Sequence, residues 1–280
     1  MSQERTIFKN GSTTFFISSL FFPHSVRANV FDLYSFVRVA DDYVDQVPAD
    51  SDSFYRLRQL WTEAADNLNY ITDKSEDDST DERVVKNMVR VARKNKFDLA
   101  WVEAFLDAMQ SDIKHTGYRT IEDTLGYMYG SAEVVGLMMA RLMGLKPEAA
   151  QAAQLQGRAM QLINFIRDIT EDIDLGRQYF PADELKRFNL PDLTHETATQ
   201  RPQDFTKFIQ FQLNRYDQWQ HEAYQGYKYI PRRLRIPLQT ATDMYKWTAN
   251  EIHKDPLVIY EKKIKPSKMR VISRVLMNAF

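Results

Sequence analysis

Cysteine is missing from the 280-residue chain, and glycine is scarce: 9 residues, roughly 3% against a typical ~7%. Without cysteine there are no disulfides, no thiolate zinc ligands and no thiol nucleophile, a usage that fits a reducing compartment. The glycines form no GxG; the closest pair is Gly126 and Gly130. Neither a dinucleotide fingerprint nor a Walker A loop can therefore be written on the chain, which argues against a doubly wound α/β fold. An excess of one charge is also lacking. The 37 Lys and Arg against 38 Asp and Glu leave a net charge of -1, so no nucleic acid is expected as a partner. Net charge averages over position, so a local charged site stays open. Long apolar runs are missing as well. Phe15–Phe22 and Leu137–Leu145 are the most apolar stretches, and Arg141 interrupts the second. Both fall far below the ~20 residues of a membrane span. Met1–Gly11 is polar and has no signal core, and Arg274–Phe280 is too short for a tail anchor.

What is present is helical pattern. Hydrophobic residues make up 44% and aromatics 12%, enough for a sizeable core. Residues 27–44 carry apolar positions at 30, 31, 33, 34, 36, 37 and 40, a broad helical face. Similar faces predict helices over 53–70, 81–94, 99–114, 121–145, from Pro147 to about 175, 204–225, 233–254 and 267–277. Breaks are expected at 46–52, in the acidic stretch 72–82, over the proline-bearing 179–203, and at a basic turn bracketed by Pro231 and Pro237. No strand alternation and no repeat is evident. The expectation is an all-α, single-domain helical bundle over 1–280.

The chemistry is carried by Asp-x-x-x-Asp, which puts two carboxylates one helical turn apart on one face. Like charges there destabilise a helix unless a divalent, oxygen-seeking cation joins them. The spacing occurs at Asp41/Asp45, Asp73/Asp77, Asp77/Asp81 and Asp168/Asp172. The middle two lie in the polar stretch 72–82 and read as solvated loop. The outer two sit on amphipathic segments. Tyr34, Arg38, Asp41 and Asp45 follow helical steps, as do Gln161, Asn164, Asp168 and Asp172. Two acidic stripes facing across an apolar helical cavity suggest a trinuclear Mg²⁺ clamp on a diphosphate, with metal and cations neutralising the leaving group. The rest of such a cavity would hold a long, greasy chain ending in an allylic cation, which aromatic faces stabilise.

Four motifs together resemble the squalene/phytoene synthase family of head-to-head prenyl transferases. They are Ser12-Thr-Thr-Phe15 with Pro23 and Arg27; Tyr34-x-Phe36-x-Arg38-x-x-Asp41-Asp42-x-x-Asp45; Tyr127-Met-Tyr129-Gly-Ser-Ala132; and Gln161-x-x-Asn164-x-x-Arg167-Asp168-x-x-x-Asp172 followed by Gly176-Arg177-x-Tyr179. The last is the most specific, and the resemblance spans about residues 12–275. It implies that Asp41, Asp45, Asp168 and Asp172, supported by Asn164, hold Mg²⁺, with Mn²⁺ able to substitute. Arg38, Arg167, Arg177, Tyr179 and Gln161 would contact diphosphate or lock the aspartates. Phe15, Tyr34 and Tyr245 would line the prenyl and cation pocket, and Tyr129 would be the catalytic tyrosine of the third motif. Asp42 and Glu171 would turn aside to supporting partners.

The implied reaction joins two C20 diphosphates, through a cyclopropylcarbinyl diphosphate, to 15-cis-phytoene, with no nucleotide cofactor. Alternatives are squalene or dehydrosqualene synthesis from two C15 diphosphates, and a non-catalytic lipid-binding or assembly role on the same scaffold. Greasy substrates and product imply a cytoplasmic protein in peripheral membrane contact; nothing signals an oligomeric state. One departure is Glu133, where many members have Gly: it either reshapes the cavity floor or pairs with a nearby Arg. Another is the loosely matching run Lys262–Arg270, read as a solvated or lipid-facing surface more than a diphosphate cover. The five histidines have no ligand spacing, so no zinc site follows. The Met138/Met139/Met143 run reads as core packing, and Gly126-x-x-x-Gly130 as a site of close helix approach.

Overall fold

Helical periodicity accounts for nearly all of the computed structural model, which describes residues 3–66, 78–114 and 117–279. In chain order the α-helices are α1 (Gln3–Gly11), α2 (Thr13–Ser19), α3 (His24–Val44), α4 (Ser51–Asp66), α5 (Thr80–Asn95), α6 (Leu99–Lys114), α7 (Ile121–Met128), α8 (Val134–Leu142), α9 (Ala150–Arg167), α10 (Ile169–Asp174), α11 (Ala182–Arg187), α12 (His195–Gln200), α13 (Pro202–Tyr224), α14 (Arg232–Lys254), α15 (Val258–Glu261) and α16 (Lys268–Ala279). No strand occurs among the described residues.

Local chemistry sets the ends of these helices. Ser79 and Glu82 form a reciprocal capping box at α5, and Thr120 and Asp123 do the same at α7. Pro202 opens α13, where its missing N–H would have no partner anyway. After α10, Gly176 at φ 72° closes a Schellman turn: its N–H bonds to Ile173 O, and the N–H of Arg177 bonds to Asp172 O. That turn aims Arg177 back at α3.

One half of the core lies where α3 packs on α4, α5 and α6; Phe36, Phe54, Leu57, Trp61 and Phe105 are fully buried there. In the other half α9 packs against α8, α13 and α14. Glycine serves these crossings. A Cβ on Gly136 would lie 2.2 Å from Ala153 O, and one on Gly157 2.3 Å from Ala132 O. Gly130 likewise abuts Ala104 O, but a Cβ on Gly126 would meet nothing within 4 Å. Only the second glycine of the 126/130 pair therefore sits at a close approach.

The structure departs from the periodicity where a single face is not enough. The expected helix 121–145 is split by a π-helical turn, Tyr129–Glu133. The run from Pro147 begins as a 3-10 turn and breaks again at Asp168, which has φ -102° and ψ 17°. Short helices α11 and α12 occupy the stretch expected to be irregular. Pro237 lies inside α14 and does not bracket a turn. It removes one helical N–H, and Pro231 alone marks the helix start. Asp81 belongs to the first turn of α5 and is buried, accepting a 2.6 Å hydrogen bond from Tyr43. Asp73, Asp77 and the expected end of the second helix at 70 lie outside the described residues.

Adding a methyl at Gly136 or Gly157 forces two backbones apart. Gly157→Ala is expected to cost roughly 1–3 kcal/mol. Gly126→Ala should be neutral or stabilise by about 0.5–1 kcal/mol through helix propensity. Thermal denaturation of both variants beside the parent chain checks the contrast.

Candidate active site

A cavity of about 1000 Å³ opens between the two halves of the bundle. Asp41, Asp45, Asp168 and Asp172 all line it, as do Phe15, Tyr34, Arg38, Gln161, Asn164, Arg167, Arg177, Tyr179 and Tyr245. A second, apolar cavity of about 280 Å³ adjoins it and shares Phe15, Tyr34, Ser131, Gln161, Asn164 and Tyr245. Its walls include Phe22, Val30, Leu33, Met139 and Met143. Met139 and Met143 thus form cavity wall, while Met138 is fully buried in the core.

Each aspartate stripe is braced by arginine. Arg38 donates to Asp41 at 2.9 Å and also pairs with Asp42, which stays outside the cavity lining. Asp45 caps the end of α3 and accepts from Arg177 at 2.7 Å, while the same guanidinium reaches Val44 O at 2.6 Å. The Arg177 contact joins positions 132 apart in sequence. Arg167 holds Asp168 with two parallel hydrogen bonds, one of them 2.8 Å. Glu171 does not turn aside. It lines the cavity and pairs with Lys263 at 2.6 Å, and Lys263 also lies 3.5 Å from Asp168.

The repulsion predicted between the paired carboxylates is visible in their electrostatics. Burial, then the neighbouring Asp45, pushes Asp41 up to about 7, against the opposing pull of Arg38. Burial and Asp168 push Asp172 up to about 8. The Asp41 side chain, 36% accessible, lines the cavity. Asn164 donates to Gln161 at 3.2 Å, yet its buried Oδ1 meets no partner among the described residues. Carboxylates that repel one another beside an orphaned amide oxygen form a hard-oxygen donor set, which suits a divalent cation such as Mg²⁺. Among the described residues no three acidic or histidine side chains converge on one point. The pairs suit a cation whose remaining ligands are substrate phosphates and water.

Tyr129 is misplaced by the sequence reading. It is 39% exposed and does not line the cavity, whereas Tyr127 does. Residues two positions apart on a helix point about 200° apart, so only one of these tyrosines faces inward. Ser131, one turn on from Tyr127, shares the inward face. Glu133 pairs with Arg158 at 2.6 Å, buried away from both cavity walls.

Five cavity-lining residues are absent from the motifs. Asp112, on α6, lines the cavity and accepts from Tyr127 at 2.6 Å and Tyr179 at 3.0 Å, and burial pushes it up to about 6. The Tyr179 hydroxyl is therefore directed at Asp112. Gly11 packs where a Cβ would lie 2.6 Å from the Tyr34 hydroxyl. Lys263, Lys265 and Lys268 line the cavity mouth, so the basic run is a cavity wall as well as a surface. For Asp112 the signal was weak: one acid on the otherwise apolar face of α6.

An all-α chain with arginine-braced aspartate pairs at the mouth of an apolar cavity has the form of a prenyl-diphosphate-handling transferase. Comparison with known proteins is specific. Residues 8–270 match the squalene/phytoene synthase family. The chain is 27% identical to the 15-cis-phytoene synthase of Synechococcus elongatus, over 92% of this chain and 85% of that one. It is 29% identical to that of Paracoccus sp., over 92% and 84%. Identity reaches 32% to the enzyme of Enterobacter agglomerans, over 68% and 67%. The fold matches a crystal structure of a dehydrosqualene synthase with a TM-score of 0.82, at 23% identity over 98% of this chain and 93% of that one. The chain belongs to the squalene/phytoene synthase family and is a prenyltransferase.

A carboxyl whose pKa is raised by folding binds its proton more tightly in the folded chain. Its stabilising contribution is complete below about pH 4 and is lost as pH rises through the folded value. For Asp41 and Asp172 that window ends near pH 7–8. In chelator, the melting temperature should therefore fall between about pH 5 and about pH 8. Asp172→Asn should raise it at about pH 8 by roughly 2–4 °C per kcal/mol of repulsion relieved. A pH series of thermal melts with and without the substitution measures both effects.

Proposed function

We propose that this chain condenses two molecules of geranylgeranyl diphosphate, a C20 allylic diphosphate, head to head into 15-cis-phytoene, with Mg²⁺ as cofactor. The observation that carries this reading is the placing of two braced aspartate stripes in a cavity that adjoins an apolar one, in a chain whose relatives across most of its length are phytoene synthases. Asp41 and Asp45 on one side, and Asp168, Asp172 and Asn164 on the other, would hold the metal. When bound, it would neutralise the charge that develops on the departing diphosphate.

The chain's own groups do the rest. Arg38, Arg167, Arg177, Lys263 and Lys265 surround the diphosphates, so the allylic C–O bond breaks with its electron pair leaving on oxygen. The allylic cation is held against the faces of Phe15 and Tyr245, whose ring centroids are 5.6 Å apart. The 2,3-double bond of the second substrate attacks it. Loss of a proton closes the cyclopropylcarbinyl diphosphate. A second ionisation, rearrangement and proton loss yield the hydrocarbon. Two diphosphates leave and no reductant is consumed, so no nucleotide enters this scheme. Apolar walls keep water from quenching the cations. Substrate tails and product are bilayer-soluble, so the enzyme would work in peripheral contact with a membrane, from the cytoplasmic side.

Asp41→Asn and Asp168→Asn should each lower turnover by roughly 10³-fold or more, in line with the loss of transition-state charge stabilisation. Their helical circular dichroism should stay intact, and Tyr129→Phe should stay active. The decisive assay incubates the protein with Mg²⁺ and either C15 or C20 diphosphate, with and without NADPH. Phytoene from the C20 substrate without NADPH is the expected product. A C30 hydrocarbon from the C15 substrate as the preferred product would overturn the C20 assignment. Retained turnover in both aspartate variants would overturn the active site.

A further inference from the structure

We propose that the outward face of α16 is a docking surface for an anionic lipid bilayer. The helix turns Val271 and Val275 into the core, packing on α14 and α2. Its outer side carries Met269 (76% exposed), Ile272 and Leu276, spaced 3 and 4 apart on one stripe, with Met277 (65% exposed) about 100° round the helix from Leu276. The solvent side of an amphipathic helix is normally polar; here four large apolar side chains share it with Lys268, Arg270 and Ser273, and no described element covers them. An exposed apolar stripe with basic flanks suits the boundary between headgroups and acyl chains.

Charge names the occupant. The segment 262–274 carries Lys262, Lys263, Lys265, Lys268, Arg270 and Arg274 and no acid. Arg274 is taken up by half-buried Asp243 at 2.6 Å, while Lys268 and Arg270 are exposed beside the stripe. Arg232 is exposed at its other end, 3.4 Å from Ala279 O. A bilayer of anionic lipid attracts such a ring of cations and also accepts the apolar stripe. The placement also serves the cavity. Lys265, Pro266, Ser267 and Lys268 line its mouth and run directly into α16. Seating the stripe among acyl chains brings that mouth to headgroup level, where an amphiphilic diphosphate presents its polar end. This last step rests on the prenyl-diphosphate reading above; the docking surface itself does not.

The test is vesicle flotation with the full chain, using phosphatidylcholine alone and phosphatidylcholine mixed with phosphatidylglycerol. The intact chain is expected to float with the mixed vesicles. Met269→Ser/Ile272→Ser/Leu276→Ser should reduce that partitioning at least tenfold at unchanged melting temperature. Arg232→Gln/Arg270→Gln should reduce it on mixed vesicles only. Turnover of detergent-dispersed diphosphate should be unchanged in the triple variant, while turnover of vesicle-borne diphosphate falls. Detergent turnover reports on the enzymatic reading alone, so the two fail separately. The docking surface is overturned if the intact chain does not float with mixed vesicles or if the triple variant floats equally well. It is also overturned if light scattering shows a dimer that the triple variant dissolves, which would assign the stripe to a second copy of the chain.

Discussion

Like charge facing like charge inside an apolar bundle is the constraint around which this chain is arranged. Six carboxylates from α3 and its C-terminal end, the α9–α10 junction and α10 line one cavity (Asp41, Asp45, Asp168, Glu171, Asp172 and Asp174), and burial raises Asp41 and Asp172 far above ordinary carboxylates. A folded chain tolerates this only if cations stand close by, because uncompensated buried charge costs several kcal/mol. Each stripe therefore carries its own guanidinium: Arg38 on Asp41, Arg177 on Asp45, Arg167 on Asp168. Arg177 does more than neutralise. Launched by the positive-φ turn at Gly176, it reaches across the cavity to the end of α3, so the ion pair that offsets repulsion also ties the two halves together.

The backbone is irregular around this cavity. A straight helix from 150 to 174 would present Asp168 and Asp172 along one line; the break at Asp168 instead makes it both the end of α9 and the start of α10. The π-helical turn at Tyr129–Glu133 inserts at the point where the chain lies closest to α6 and α9, with Gly130 and Gly157 at the two contacts. π-turns within α-helices are frequently found at functional sites. Here the turn leaves Tyr127 and Ser131 on the cavity side and Glu133 paired with Arg158 behind it. Asp112 completes this wall by accepting from Tyr127 and Tyr179, while the Phe165 ring stacks on Tyr179 at 4.3 Å.

Legibility in the sequence follows from how local each cause is. Helix α3, α6, α13 and α14 announce themselves because one face packs and one is solvated, and the aspartate stripes are visible because their own members recur at steps of three and four residues. Features made by contact between distant segments are not. Asp112 gains meaning only from tyrosines 15 and 67 residues away. Lys263 is a surface lysine in sequence and a partner of Glu171 in space. The choice between Tyr127 and Tyr129 turns on helix phase at a π-turn, which a motif that includes both residues does not encode. Pro237 reads as a breaker from propensity, yet the packing of Leu234, Ala241 and Met244 carries α14 straight through it.

The near-zero net charge takes its meaning from position. The acids that matter face inward, where they raise one another's proton affinity. The cations that offset them come in two kinds. Arg38, Arg167 and Arg177 are committed to carboxylates, and their delocalised, forked guanidinium groups stay charged under burial. The lysines of the C-terminal run stand at the cavity rim, where compact ammonium groups remain hydrated and can exchange partners. Lys263 shows the consequence: it lies between Asp168 and Glu171 within reach of the cavity, a cation positioned to move from carboxylate to phosphate oxygen without either partner being left bare. Arginine fixes the frame and lysine serves the mouth, and a balanced composition is what that division of labour requires.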